Sequence, residues 1–192
     1  MGPDGEESVI NMSCSGVVVD KAGGIVSEPR TLIATAHHCL DLPAPGAILR
    51  SGSLVEATLV TVVDSAGKTC ELKTVALGGY EANDVATGVA SCDLGKVARL
   101  ASEVPERGAQ VYVSGHPQGI YPGIITSGYF SGWLQGWMLI SAPAFGGNSG
   151  GPLFNIDGEV VGLLVRGSTN YPLISLAAPL GELQARIQGS VW

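Results

Sequence analysis

The sequence predicts an all-β protein, two β-barrels closed by a C-terminal helix, and three observations lead there. Short runs of aliphatic and β-branched residues recur between turn residues along most of the chain. Gly (28) and Pro (11) are scattered rather than periodic, which excludes a collagen-like repeat and marks many turns. Helical spacing of apolar residues occurs only near the end. A length of 192 residues suits one or two compact units, and a hydrophobic share of 45% supplies their core. Charged residues are only 14%, with no like-charge block, which argues against a disordered tail or a coiled coil.

In chain order, the strand candidates of the first half are SGVVVD before KAGG, RTLIATA, GAILRSG, ATLVTVVD before SAGK, and CELKTVAL before a glycine pair. The polar stretch ASEVPERG (101–108) separates them from a second set, so the expected units are 1–100 and 101–192. That set is AQVYVSG, GIITSGYFSG, GWMLISA, GPLFNIDG, EVVGLLVRG and PLISLAA. Pro179 then precedes LGELQARIQ, where Leu180, Leu183 and Ile187 share one face before Gly189, predicting a helix over about 179–188. No βαβ rhythm, long repeat or low-complexity segment interrupts this pattern.

The net charge is −7, from 10 basic and 17 acidic residues, and the basic ones are dispersed. Nucleic acid is therefore not an expected partner. No apolar stretch approaches the roughly 18 residues of a membrane span. The start, MGPDGEESVI, is acidic where a signal peptide is basic. Four cysteines allow two disulfides in three connectivities, or four reduced thiols.

Two motifs carry chemistry. In GGNSGGP (146–152) a serine sits in a glycine-dense turn where backbone N–H groups can converge on one point, as a tetrahedral oxyanion requires. In TAHHC (35–39) an apolar strand delivers histidine at its end. A serine hydroxyl is inert at neutral pH without a nearby base, and imidazole is the usual one. Either motif alone has a bland reading, a glycine-rich hairpin or a surface histidine. Together they point to a nucleophilic serine served by a histidine.

At these residues the sequence resembles the trypsin/chymotrypsin-like serine proteases. TAHHC is similar to that family's TAAHC and GNSGGP to its GDSGGP, which makes His38 the base and leaves His37 where the family usually has alanine. YEANDVA (80–86) resembles the segment carrying the catalytic aspartate. GNSGGPLFNIDGEVVGLLV and SLAAPLGELQARI are most similar to the Deg/HtrA branch. The resemblance implies two packed six-stranded antiparallel barrels and a serine endopeptidase acting on polypeptides through an acyl-enzyme. Its triad is His38, Asp84 and Ser149, with the N–H groups of Gly147 and Ser149 as oxyanion hole. Deg/HtrA proteins usually carry a further C-terminal domain, so this chain reads as either an excised or a stand-alone protease domain. A viral or phage polyprotein protease of the same fold, and a catalytically silent binding domain, are the alternatives.

The order of residues decides one competitor. Gly147, Ser149 and Gly151 also fit the G-x-S-x-G elbow of α/β-hydrolases, but there histidine follows serine, and His37, His38 and His116 all precede Ser149. For the acid, Asp84 stands ahead of its rival Asp93 in CDLG, while Asp20, Asp64 and Asp157 lie in turns. His116, in GHPQG, reads as structural. No CxxC or HExxH spacing occurs, so neither a metal nor another cofactor is expected.

The resemblance also implies a Cys14–Cys39 disulfide, leaving Cys70 and Cys92 to pair. With that bridge the expected location is secreted or periplasmic, and without it intracellular or viral. Asn148 stands where zymogens place the aspartate that pairs with a cleaved N-terminal amine, which implies activity without processing. By register on Ser149, the primary pocket is expected from Pro143, Ala144, Leu164 and Leu173, with Val165, Arg166 and Gly167 pairing with substrate backbone. No acid stands among them, so a P1 Lys or Arg is disfavoured and small or medium aliphatic residues are favoured. Arg166 turned inward would instead accept an acidic P1 residue.

Overall fold

The computed structural model describes residues 12–22, 30–43, 47–48, 59–77, 84–120, 122–168, 171 and 173–190. The first half forms β1 (Val17–Ala22), β2 (Arg30–Ala36), β3 (Thr61–Val63), β4 (Thr69–Leu77) and β5 (Val85–Ala90). Their antiparallel order is β1-β2-β5-β4-β3. Five strands are thus described where a six-stranded barrel is expected, and the expected GAILRSG strand falls largely outside the described residues.

The second half forms β6 (Gln110–Gly115), β7 (Ile124–Leu134), β8 (Trp137–Ile140), β9 (Pro152–Phe154), β10 (Val160–Gly167) and β11 (Ser175–Pro179). These close into the expected six-stranded barrel, with the short β9 pairing to both β6 and β10. Helix α1 (Leu180–Gln188) follows directly from Pro179, whose fixed φ suits the residue before the first turn. Glu182 in its first turn and Arg186 in its last match the helix dipole.

Three apolar clusters explain why some strands are apolar on both faces. Val111, Val113, Phe130, Met138, Ile140, Leu153, Val161 and Leu164 fill the barrel. A second cluster joins the halves: Val17, Val19, Leu32, Ala34 and Val85 from the sheet meet Val160, Leu163, Val165, Ala178 and Leu183 from the barrel and helix. Ile33, Leu40, Leu72, Ala86 and Leu94 lie on the sheet's other side. Strands β2 and β10 each serve two clusters, which is why they read as continuous apolar runs rather than alternating ones.

Both disulfides form, Cys14–Cys39 beside the end of β2 and Cys70–Cys92 between β4 and the residues after β5. The Cys14–Cys39 bridge implied by the resemblance is therefore present.

Leu163 is fully buried at the junction of the halves. Leu163→Ala should cost about 2–5 kcal/mol of unfolding free energy, read from urea titration, through lost burial and the cavity left behind. Replacing Cys14 and Cys39 together by serine should cost about 3 kcal/mol by releasing the loop they close in the unfolded chain. Non-reducing mass spectrometry of the wild type should show no free thiol.

Candidate active site

Strand β2 ends at Ala36, and a single 3-10 turn over His37–Cys39 follows, so His38 is presented just past a rigid strand. The β2–β5 ladder runs from Thr31 opposite Ala90 to Ala36 opposite Val85. One step further, the His37 N–H donates to Asp84 O at 2.9 Å. This pairing brings Asp84 to His38. The His38 N–H donates to Asp84 Oδ1 at 3.0 Å, and His38 Nδ1 lies 2.9 Å from Asp84 Oδ2. An ionised carboxylate only accepts, so Nδ1 carries the proton of that contact and Nε2 keeps its lone pair in the neutral ring.

Asp84 is 2% exposed and adopts φ +47°, a left-handed conformation that aspartate and asparagine tolerate better than most side chains. Its rival is elsewhere. The Asp93 carboxylate is exposed and bonded to Lys21 Nζ, a contact that lowers its pKa, with the Lys68 charge adding to the effect. His37 is buried, with Nε2 3.4 Å from Asp41 Oδ2, and His116 Nδ1 lies 3.1 Å from Ile120 O. Neither bonds to Asp84 through its ring in any contact described here, whereas His38 does.

Ser149 lies on the loop before β9, and its Oγ donates to Val165 O at 3.0 Å. That carbonyl is available because the β10–β11 register shifts between Leu164 and Arg166, leaving Val165 outside the ladder. Glycines decide how the loop docks. Gly150 has φ +82°, and a Cβ there would collide with Thr35 Oγ1 and Ser15 O and lie 2.7 Å from Ala36 N. The serine loop therefore touches the backbone that leads to His38. Gly147 has φ +100°, and a Cβ there would collide with His116 O.

Two peptides of this loop are held by their carbonyls. Gly146 O accepts from Gln118 N–H at 2.6 Å, and Asn148 O accepts from Gly151 N–H at 2.9 Å. The N–H and C=O of a trans peptide point in opposite directions, so the N–H groups of Gly147 and Ser149 face away from those partners. Among the described residues, no hydrogen bond engages either N–H. Asn148 is 1% exposed, and its side-chain Oδ1 has no hydrogen-bond partner among the described residues.

The residues expected around the primary pocket divide. Pro143 and Ala144 are half-buried, and a Cβ on Gly167 would lie 3.5 Å from Ala144 O, so these two segments run close together. Leu164 is 1% exposed and belongs to the barrel interior, while the Val165 side chain belongs to the core between the halves. Their backbones face the serine loop instead: Gly150 N–H donates to Leu164 O and Leu164 N–H to Gly151 O. Leu173, at φ +71°, is 69% exposed in the turn before β11. The Arg166 guanidinium lies 5.5 Å from the Trp137 ring centroid and borders a cleft of about 500 Å³ walled by Leu134, Leu139, Tyr171 and Leu176.

Ser15 was not singled out by its sequence, and nothing in NMSCSG marks it. In the fold it is buried where the halves meet, its N–H donating to Ser149 O at 2.8 Å. Among the described residues, Cys14, His38 and Cys39 form a compact His/Cys grouping, but both sulfurs are consumed in the disulfide and cannot act as thiolate ligands.

A closed six-stranded barrel packed on a second antiparallel sheet, with histidine, aspartate and serine at the junction, defines a serine endopeptidase of the trypsin-like fold. The family description "Trypsin-like peptidase domain" matches residues 14–163, and the chain belongs to that family. Among solved structures it is similar to Rv3671c from M. tuberculosis H37Rv, a serine-to-alanine mutant in an inactive form. That match has TM-score 0.67 and 20% identity and covers 91% of this chain and 80% of the other. It is also similar to the serine endoprotease from Yersinia pestis, with TM-score 0.71 and 21% identity, over 95% of this chain and 59% of the other. No curated protein matches the chain in sequence.

If Asp84 orients His38, Asp84→Asn should lower kcat by about 10⁴, while Asp93→Asn leaves it within a few-fold. Asparagine tolerates the same backbone conformation, so the substitution removes charge and the correct tautomer rather than the fold. His38→Ala should abolish hydrolysis and His37→Ala should not; the opposite pattern would move the base to His37.

Proposed function

We propose that the protein hydrolyses internal peptide bonds through an acyl-enzyme formed on Ser149. The observation carrying this reading is the paired contact of one buried carboxylate, Asp84, with both the backbone and the ring of His38, on the strand end that the serine loop touches. Ser149 Oγ turns from Val165 O toward His38 Nε2, gives up its proton there, and bonds to the scissile carbonyl carbon. The carbonyl oxygen becomes the oxyanion and is met by the N–H groups of Gly147 and Ser149. His38 then passes its proton to the departing amine. A water, deprotonated by the same ring, repeats the sequence on the ester and restores Ser149. Asp84 stabilises the imidazolium throughout without taking the proton.

Specificity follows from the walls beside Ser149. The close approach of Gly167 to Ala144 supports a slot for small or medium aliphatic P1 residues, and none of the residues assigned to it is an acid that could pair with Lys or Arg. Arg166 rests against Trp137, which supports the aliphatic reading over an acidic P1 residue. Asn148 offers no carboxylate to a new N-terminal amine, so activity is expected from the unprocessed chain.

A fluorophosphonate probe should label the wild type at Ser149 and leave Ser149→Ala unlabelled; an unlabelled wild type would make the domain a silent binding module. In a peptide series varied only at P1, Ala, Val and Leu should be cleaved best. Preferred cleavage after Lys or Arg would refute the slot, and a Glu preference abolished by Arg166→Ala would give the choice to the arginine.

A further inference from the structure

Ser15 uses every hydrogen-bonding group it has at the junction of the two halves. Its N–H donates to Ser149 O at 2.8 Å, and its carbonyl accepts from Thr35 Oγ1 at 2.6 Å. Its hydroxyl oxygen accepts from the His116 N–H at 2.9 Å, and its Oγ donates to Gly147 O at 2.8 Å. The direction of that hydroxyl is not arbitrary. The His116 amide can only donate and the Gly147 carbonyl can only accept, so the proton must point at Gly147. Ser15 is 7% exposed, and water does not compete freely for these bonds.

Gly147 O belongs to the peptide between the two N–H groups assigned to the oxyanion. The preceding peptide is held by Gln118 through Gly146 O, and the following one by Gly151 through Asn148 O. The middle peptide is held at its N–H within the loop, Asn148 N–H donating to Phe145 O at 3.0 Å, and at its carbonyl by the Ser15 hydroxyl from outside the loop. At φ +100° Gly147 is a residue whose backbone has alternative wells close in energy, so a Gly147–Asn148 peptide released at its carbonyl can tilt, changing ψ of Gly147 and φ of Asn148 and with them the aim of the N–H groups on the two flanking peptides.

Resting on the oxyanion assignment above, we propose that Ser15 is a positioning residue for the oxyanion hole, its hydroxyl locking the Gly147–Asn148 peptide by bridging the His116 amide to the Gly147 carbonyl. It touches no reacting atom. Its loss should therefore weaken the transition state while sparing ground-state binding.

The test compares wild type, Ser15→Ala and the fold control Val111→Ala, whose buried side chain lies in the barrel core. Each is assayed with a p-nitroanilide peptide carrying Ala or Val at P1 and with the matching peptide aldehyde, whose hemiacetal oxygen occupies the oxyanion position. Ser15→Ala should lose about ten- to a hundred-fold in kcat, with KM within about twofold, and bind the aldehyde more weakly by a similar factor. Val111→Ala should melt at lower temperature with kcat retained. An active wild type with kcat and aldehyde affinity unchanged in Ser15→Ala overturns the proposal, as does a loss confined to KM. A wild type that neither turns over nor binds the aldehyde overturns the oxyanion reading beneath it. Should Ser15→Ala fail to fold, Ser15→Gly carries the same comparison. Failure of both to fold overturns the proposal by making the hydroxyl a folding requirement instead.

Discussion

The backbone contact between the serine loop and the end of β2 is the constraint on which the rest of the site depends. Gly150 lies against Ser15, Thr35 and Ala36 so closely that no side chain fits there. This contact brings two separately hydrogen-bonded sheets together at the proposed reaction centre, because His38 follows Ala36 by two residues and Ser149 precedes Gly150 by one. Any side chain at Gly150 would force the loop off the strand and separate the proposed base from the proposed nucleophile.

Apolar burial sets the distance at which that contact can form. Leu32, Ala34 and Val85 on one side and Val160, Leu163 and Val165 on the other bring β2 and β10 together. Both strands surrender alternation to do so. The same strand β10 then supplies polar groups by its backbone: Leu164 N–H and O pair with Gly151 and Gly150, and Val165 O, released by the bulge, takes the serine hydroxyl. One strand thus sets hydrophobic spacing with its side chains and loop orientation with its main chain. Asp84 reaches His38 in a comparable way. The β2–β5 register places it, and a left-handed backbone turns its carboxylate inward.

Much of this was legible in the residues alone. The turn-punctuated apolar runs announced an all-β chain, the terminal 3.6-residue spacing announced α1, and two short motifs marked His38 and Ser149, because local chemistry and backbone freedom must be written next to the groups that use them. Asp84 was singled out through the segment around it, and in the structure its carboxylate bonds to His38 while that of Asp93 bonds to Lys21. The pocket was less so. Register placed Leu164 and Leu173 on its walls, but facing directions depend on which sheet covers each side of a strand. Leu164 faces the barrel interior, and Leu173 projects from a turn.

By itself, then, the sequence determined the strand and helix content, the histidine and serine candidates and the glycines that let the serine loop turn, since each is a property of a few neighbouring residues. Tertiary structure alone decided that Ser15 hydrogen-bonds to the serine loop, that Val165 offers its carbonyl and that Arg166 rests on Trp137. Those facts arise from groups distant in the chain, joined by backbone hydrogen bonds and ring contacts that leave no signature in residue type. Ser15 and Gly147 are 132 positions apart, and only packing one half on the other makes them neighbours.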